Sequence, residues 1–440
     1  NVRVRLYRES DGNTALSGGD SFVAQNLTGS DGIYSFAPLS PGRYYVVVNS
    51  KDVAPASLNS GYTLEVPWAE QTFRREFISG AYYDVQAFGG TSPEVSDNFA
   101  TWSNAVSDSN FQHLSVVDLT GGAQTVTGID HGFSFNVVVN VADTGNNGPK
   151  VNGNQGTMRQ FAINSNAIAG ANAARFVMMT PSNTSSGSDS WWTVTAISPL
   201  PDITDANTSL NGVVYNPQGA VVNSDQAVFG GGTAGVENVP VAPIQGKEIE
   251  INCNDLSHFV RTAAGATNFL LKNIAFFNGG GNLGDSFAPV ILDGPGFLLE
   301  GIVTGARANG ARPADELLNR RYGLIINSSG TLSNSYIAHN GSGLLLTGSD
   351  VTVTGVRVLD NGIGVAGSDG NGVSIAAPAG PVTISNSIID SNGGTHAGVN
   401  HGNGIYTSGD ISTTLENLTV SGSTASGLSF NSSNLPSVKK

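Results

Sequence analysis

Residues 384–399 read ISNSIIDSNGGTHAGV, a short apolar strand, a polar corner and the start of a second strand. The same arrangement returns in LLKNIAFFNGG (270–280), LSNSYIAHNGSGL (332–344), VTGVRVLDNGIGV (353–365) and LENLTVSGSTASGL (415–428), and more loosely in LEGIVTGARANG (299–310). Aligning the corners places Asn340, Asn361 and Asn392 at intervals of 21 and 31 residues, each followed by glycine, and assigns Asn278 with Gly279 to the same role. Unequal intervals in one repeated pattern indicate insertions at a corner without loss of register. Coils of a parallel β-helix stack about 4.8 Å apart, so equivalent asparagines are expected to form a ladder of side-chain amides that also caps backbone groups at the bend. Ile337, Val358 and Ile389 are the inward positions, and roughly ten coils would span about 50 Å.

Composition agrees with a repeat fold. A chain of 440 residues exceeds what one hydrophobic core usually organises, unless the fold grows along an axis. With 57 glycines and only 12% charged residues, short strands joined by tight turns are expected and long helices are not. The net charge of −14 repels phosphate backbones and anionic lipid, which argues against nucleic acid as a partner. No window approaches the ~18–20 apolar residues of a membrane span, so no membrane insertion is expected. The single Cys253 excludes an internal disulfide and reads as a buried small hydrophobe. These features, together with the scarcity of lysine, point to an extracellular, cell-surface location without dependence on disulfides. The opening NVRVRLYRE, in which Val2, Val4 and Leu6 alternate with arginines, reads as a half-buried strand of a mature product or of a piece of something longer.

Residues 1–135 read as an antiparallel β-sandwich. SDGIYSFAPLSPGRYYVVVNS (30–50) holds an Asp-Gly turn, a strand at Ile33–Phe36, a Pro-Gly turn and a strand at Arg43–Val48. Asp31, Gly32, Tyr34 and Phe36, then Pro41, Gly42 and Tyr44, and finally Asp130, His131, Gly132 and Phe133 resemble the B-repeat, prealbumin-like domains of serine-aspartate repeat adhesins; His131 stands where that family has Phe. Relative to that pattern the opening strand is missing and an insertion of about 67–116 is present, read as a decorated loop with a short helix near Ser96–Val106. A missing strand would leave an open edge near Val2–Leu6, ready to pair with a second copy or a neighbouring domain.

Residues 136–440 read as the β-helix. GTMRQFAINSNAIAG (156–170) predicts a short amphipathic helix ended by Gly170. Gly156, Thr157, Met158 and Arg159 resemble the Gly-Ser-Leu-Arg capping segment of pectin-lyase-like β-helices in bacterial surface proteins. The predicted class is therefore all-β: a B-repeat-like sandwich followed by a right-handed parallel β-helix with an N-terminal capping helix.

Four groups of residues are candidates for chemistry. Glu9, Asp11, Asn13 and Asp20 approximate positions 1, 3, 5 and 12 of a calcium loop, although Thr14 replaces the central glycine; a solvated acidic turn is the alternative. Asp360 and Asp390, with His339 beside them in coil space, are weak candidates for a glycosidase pair, and Asp390 is one residue out of step. His396 and His401 lie in an insertion between coils, where they could pinch a metal. Trp191 and Trp192 are adjacent on a strand, so one ring is expected to meet solvent or a surface glycan. The pattern as a whole predicts a non-enzymatic display rod, adhesin or assembly subunit, with a polysaccharide lyase or hydrolase, or a non-catalytic glycan-binding protein, as alternatives.

Overall fold

The computed structural model describes residues 1–97, 111–121, 124–280, 287–362, 369–378, 380–396, 399–409, 412–431 and 436–439. Over these residues the regular secondary structure is almost entirely strand, with one α-helix. It divides into two compact units: Asn1–Ala169 with Phe176–Thr180 and Tyr215–Ala220, and Gly170–Arg175 with Pro181–Val214 and Val221–Lys440. The division falls beyond the helix, so residues 136–169, expected to open the second domain, pack with the first. The helix, α1 (Met158–Ala167), is the cause: Asn164 accepts from the Trp68 N–H at 2.9 Å and donates to the carbonyls of Trp68 and Phe135. Thr157 caps α1 through the Gln160 N–H, and Arg159 is held by Asp143. Every residue of α1 is buried, so the helix is not amphipathic as predicted.

The first unit is built from β1 (Arg3–Arg8), β2 (Ser21–Leu27), β3 (Gly42–Val48), β4 (Glu70–Ile78), β5 (Ala81–Gln86), β6 (Leu114–Leu119) and β7 (His131–Ser134). Two antiparallel sheets result, ordered β2-β1-β3-β6 and β5-β4-β7. Val4, Leu6, Tyr44, Val46, Val48 and Val117 form the core between them, closed by Tyr82 and Phe133 from the second sheet. Three expectations are corrected here. The opening strand is interior: β1 pairs with β2 on one side and β3 on the other, so no open edge lies at Val2–Leu6, and the outermost strands are β2 and β6. The insertion is not a loop, because Phe73, Phe77 and Tyr82 join β4 and β5 into a hairpin whose Phe77 and Tyr82 rings meet edge to face. Ile33–Phe36 pairs with no strand. The helix predicted near Ser96–Val106 lies almost wholly outside the described residues.

In the second unit each coil contributes one strand to each of three faces. The first face runs through Thr208–Asn211, Leu270–Lys272, Phe297–Glu300, Gly330–Ser333 and Val351–Thr354; the second runs through Asp189–Thr195, Ile249–Asn252, Ile274–Phe277, Val303–Thr304, Tyr336–Ala338 and Arg357–Leu359. In the coils above, Val382–Asp390 and Thr413–Ser421 serve both faces in one bent strand. The third face stacks Val260–Thr262, Val290–Leu292, Asn319–Ile326, Asn340–Leu346, Val373–Ala376, Ile405–Ser408 and Leu428–Asn431 in parallel. Ile337, Val358 and Ile389 point inward and are fully buried. Cys253 is buried and free, as expected. Among the described residues no helix is long and apolar enough to cross a membrane.

The corners obey one rule. Between the first and second faces, Asn273, Gly301, Asn334, Gly355, Asn386 and Asn417 all adopt positive φ; between the second and third, Asn278, Gly305, His339, Asp360, Ser391 and Gly422 do so. These are the glycine-favoured left-handed angles, which asparagine and aspartate also tolerate. At Asn340, Asn361 and Asn392 the residue after the second corner makes the ladder, and Asn319 joins it from the first position of its third-face strand. Asn319 donates to Asn340 (2.8 Å), Asn340 to Asn361 (2.8 Å) and Asn361 to Asn392 (2.9 Å), and all four are at most 1% exposed. Their side-chain carbonyls also accept backbone N–H groups of the preceding coil, as Asn361 does from Asn340 at 3.1 Å. Asn278 is not a member. It occupies the left-handed position of its corner and donates instead to Asn252 at 2.8 Å, while Gly279 holds the ladder position and donates its N–H to Asn319.

Asn361→Ala leaves the Asn340 N–H and the Asn392 amide oxygen short of partners inside the stack. Each buried polar group so orphaned costs about 1–3 kcal/mol, and a lowered denaturant midpoint for the second unit is the expected reading.

Candidate functional site

The first turn of the chain gathers carboxylates. One oxygen each from Glu9, Asp11 and Asp20 lies within 4.8 Å of the others. The loop is shaped by hydrogen bonds to these acids. Glu9 accepts from the N–H groups of Asp11 and Gly12 and from the Tyr45 hydroxyl, and Asp20 accepts from Ser10 and Ser17 N–H. The Ser17 hydroxyl donates to Asp11 and chiefly pulls that carboxyl below its ordinary pKa, whereas burial pushes Asp20 up. Asn13 adjoins the cluster: its N–H donates to Asp11, its side-chain oxygen accepts from the Ala15 N–H and its amide donates to Ser17. Three of the four residues expected at a calcium site are thus brought together.

The corner of the coils places His339 and Asp360 at equivalent left-handed positions one coil apart. Asp390 stands one step earlier on its strand, in register with Leu359 and Ser421, and accepts from the Ser421 hydroxyl at 2.6 Å. His339 is 8% exposed, its Nδ1 has no hydrogen-bond partner among the described residues, and burial lowers its pKa against the opposing pull of Asp360. His396 and His401 sit on the two strands of a short hairpin in which His401 faces Gly394 and His396 faces Val399; their side chains are outside the described set.

The tryptophan expectation fails. Trp191 is 2% and Trp192 7% exposed, so neither offers a ring to a glycan. Trp192 lies in register with the core residue Ile249. Trp191 faces outward but packs with Ile244, Ala275, Val303 and Tyr336, because an antiparallel hairpin built from Val228–Phe229, Gly232–Ala234, Val239–Val241 and Ile244–Gln245 covers that surface. Beneath the base of this arm Glu250, fully buried, takes two bonds from Arg307, one from the Ala308 N–H and one from Thr193.

The strongest perturbation of ionisable groups was not foreseen. In the first unit Glu70, Asp97 and His113 are buried together, with His113 Nε2 at 3.8 Å from Glu70 and 3.9 Å from Asp97. Gln155 organises the group: its Nε2 donates to the Ala69 carbonyl and to Ser50 Oγ and lies 3.0 Å from His113 Nε2, and its oxygen accepts from the Asp97 N–H. Ser50 also accepts from Trp68 Nε1, so its hydroxyl proton goes to Asp97. Burial pushes Glu70 up to about 8 and Asp97 up to about 7, and lowers His113 and His131 to about 3. His131, the departure from the resemblance, is held between Gln71 and Ser115. No local motif announces this network, since Ser50 and Gln155 are 105 residues apart. It is sealed in the core and serves structure.

No family model, curated protein or solved structure matches this chain.

The network sets the pH response of the first unit. Native Glu70 and Asp97 keep protons that the unfolded chain loses near pH 4, so their contribution is lost as pH rises through about 7 and 8. The two histidines act oppositely, since their contribution is lost as pH falls from 6.5 toward 3. Between about pH 4.5 and 6.5 the two trends oppose each other, and above 6.5 the acids act alone. The melting midpoint of the first unit is expected to fall between pH 6.5 and 8.5, and Glu70→Gln is expected to flatten that slope.

Proposed function

We propose that the chain is a non-enzymatic structural or adhesive module of an extracellular surface protein, a B-repeat-like sandwich joined to a pectin-lyase-like β-helix that displays, spaces or assembles. The observation that carries this reading is the state of the coil corner. Glycoside hydrolysis needs two carboxyl groups at a set separation, one protonated and one not. Among the described residues of the corner, Asp360 stands beside a buried histidine, while Asp390 is out of step and engaged by Ser421. The outer surface of the second face, where a chain-like substrate would otherwise lie, is occupied by the protein's own hairpin. Glu70 and Asp97, the carboxyls that burial raises furthest, are sealed from solvent.

A calcium ion at Glu9, Asp11 and Asp20 fits the same role, since a divalent cation would relieve the repulsion among three clustered carboxylates and pin the first turn. The net charge of −14 and the scarcity of lysine support an extracellular setting.

Incubation with plant, algal and bacterial glycans is expected to yield no new reducing or unsaturated ends. Turnover that disappears in an Asp360→Asn, Asp390→Asn double variant would overturn the reading. Calcium is expected to raise the melting midpoint of the first unit and a chelator to lower it; an identical midpoint in both removes the ion from the account.

A further inference from the structure

The hairpin at 228–245 does more than cover an apolar surface. Tyr336, Arg357, Ile388 and Thr419 are register neighbours on four successive strands of the second face. The arm climbs this column. Near its base the Phe229 ring meets Tyr336 edge to face, with centroids 5.0 Å apart. One coil up, Arg357 donates to the Gly231 carbonyl. In the middle Ala234 and Val241 pack on Ile388, and at the tip the Gly235 N–H donates to Thr419 Oγ1 at 3.0 Å, across 184 residues of sequence. Glycines make the fit possible. A Cβ on Gly230 would lie 2.9 Å from the Tyr336 ring, and one on Gly232 or Gly235 would collide with Arg357 or Asn417. The base is held by Glu248, which accepts the N–H groups of Ser224 and Asp225, and by Lys247, whose N–H reaches the Ala308 carbonyl.

In a stacked repeat each coil touches only its neighbours, so coils can open one at a time from an end. The last described coil leaves a half-open pocket lined by Leu415, Leu418, Val420, Leu428, Val438 and Lys439, with Val438 60% exposed. We propose that the hairpin is a clasp: by bonding directly to coils that are not its neighbours, it blocks peeling of the uppermost coils and makes the stack resist opening as one body.

Native-state hydrogen exchange of the full chain tests this, with Thr419→Val, which removes the tip hydrogen bond at little change of volume, and Gly235→Val, which displaces the tip. Val236→Ser, at a tip residue 72% exposed, is the control. Loss of one such bond shifts an opening equilibrium by roughly tenfold. Both variants are expected to speed exchange at 382–390 and 413–421 by about that factor while 249–252 and 274–277 keep wild-type protection, and the control is expected to match wild type. Wild-type exchange at 413–421 in both variants overturns the proposal. So does uniform acceleration throughout the second unit, which would make the arm a source of general stability with no hold on the end.

Discussion

A coil that bends back beneath its neighbour must bury the backbone at every corner, and a buried N–H or C=O without a partner costs more than almost any packing defect. In this protein the requirement is met by side-chain amides. Asparagine carries two donors and an acceptor at the length needed to reach the same residue one coil away, and its carbonyl still accepts the backbone N–H behind it. The residue before Gly279, Asn340, Asn361 and Asn392 takes a left-handed backbone, at Asn278, His339, Asp360 and Ser391 in turn, whereas Leu318 before Asn319 is extended. Stacking then aligns Ile337, Val358 and Ile389 without further instruction.

The same accounting separates the two kinds of buried charge in the molecule. Glu250 with Arg307, and Asp143 with Arg159, each meet a complementary partner through more than one hydrogen bond. Glu70, Asp97 and His113 are buried beside one another, and burial drives them toward their neutral forms. Their role is to join Ser50, Trp68 and Gln155, tying the sandwich to the segment that leads into α1.

The periodic features were legible in the sequence. The corner asparagines 340, 361 and 392, the inward isoleucines and valines, α1 and strands β1, β3 and β7 follow from local pattern, because each depends on residues close in sequence or on a repeat. What was illegible depends on distance. Asn319 escaped because the chain leaves the repeat between Gly305 and Asn319, so no interval marks it. Asn278 was placed one residue off because its corner has glycine at the ladder position and asparagine before it. The burial of Trp191 is set by a hairpin that follows it in the chain and folds back, and the role of β1 as an interior strand follows from pairing with β2 and β3 together. At the first turn the spacing brought Glu9, Asp11 and Asp20 together, with Asn13 bonded to Asp11 through its N–H and its side chain engaged within the loop.

The most direct measurement is a double-mutant cycle in urea on Asn340→Ala and Asn361→Ala, with Asn278→Ala and Asn340→Ala as the reference pair. If the corners are held by a continuous amide ladder, the first pair couples by about 0.5–3 kcal/mol and the reference pair is additive within about 0.5 kcal/mol. Additive behaviour in both pairs would mean that the asparagines act singly, and the ladder would no longer account for the fold.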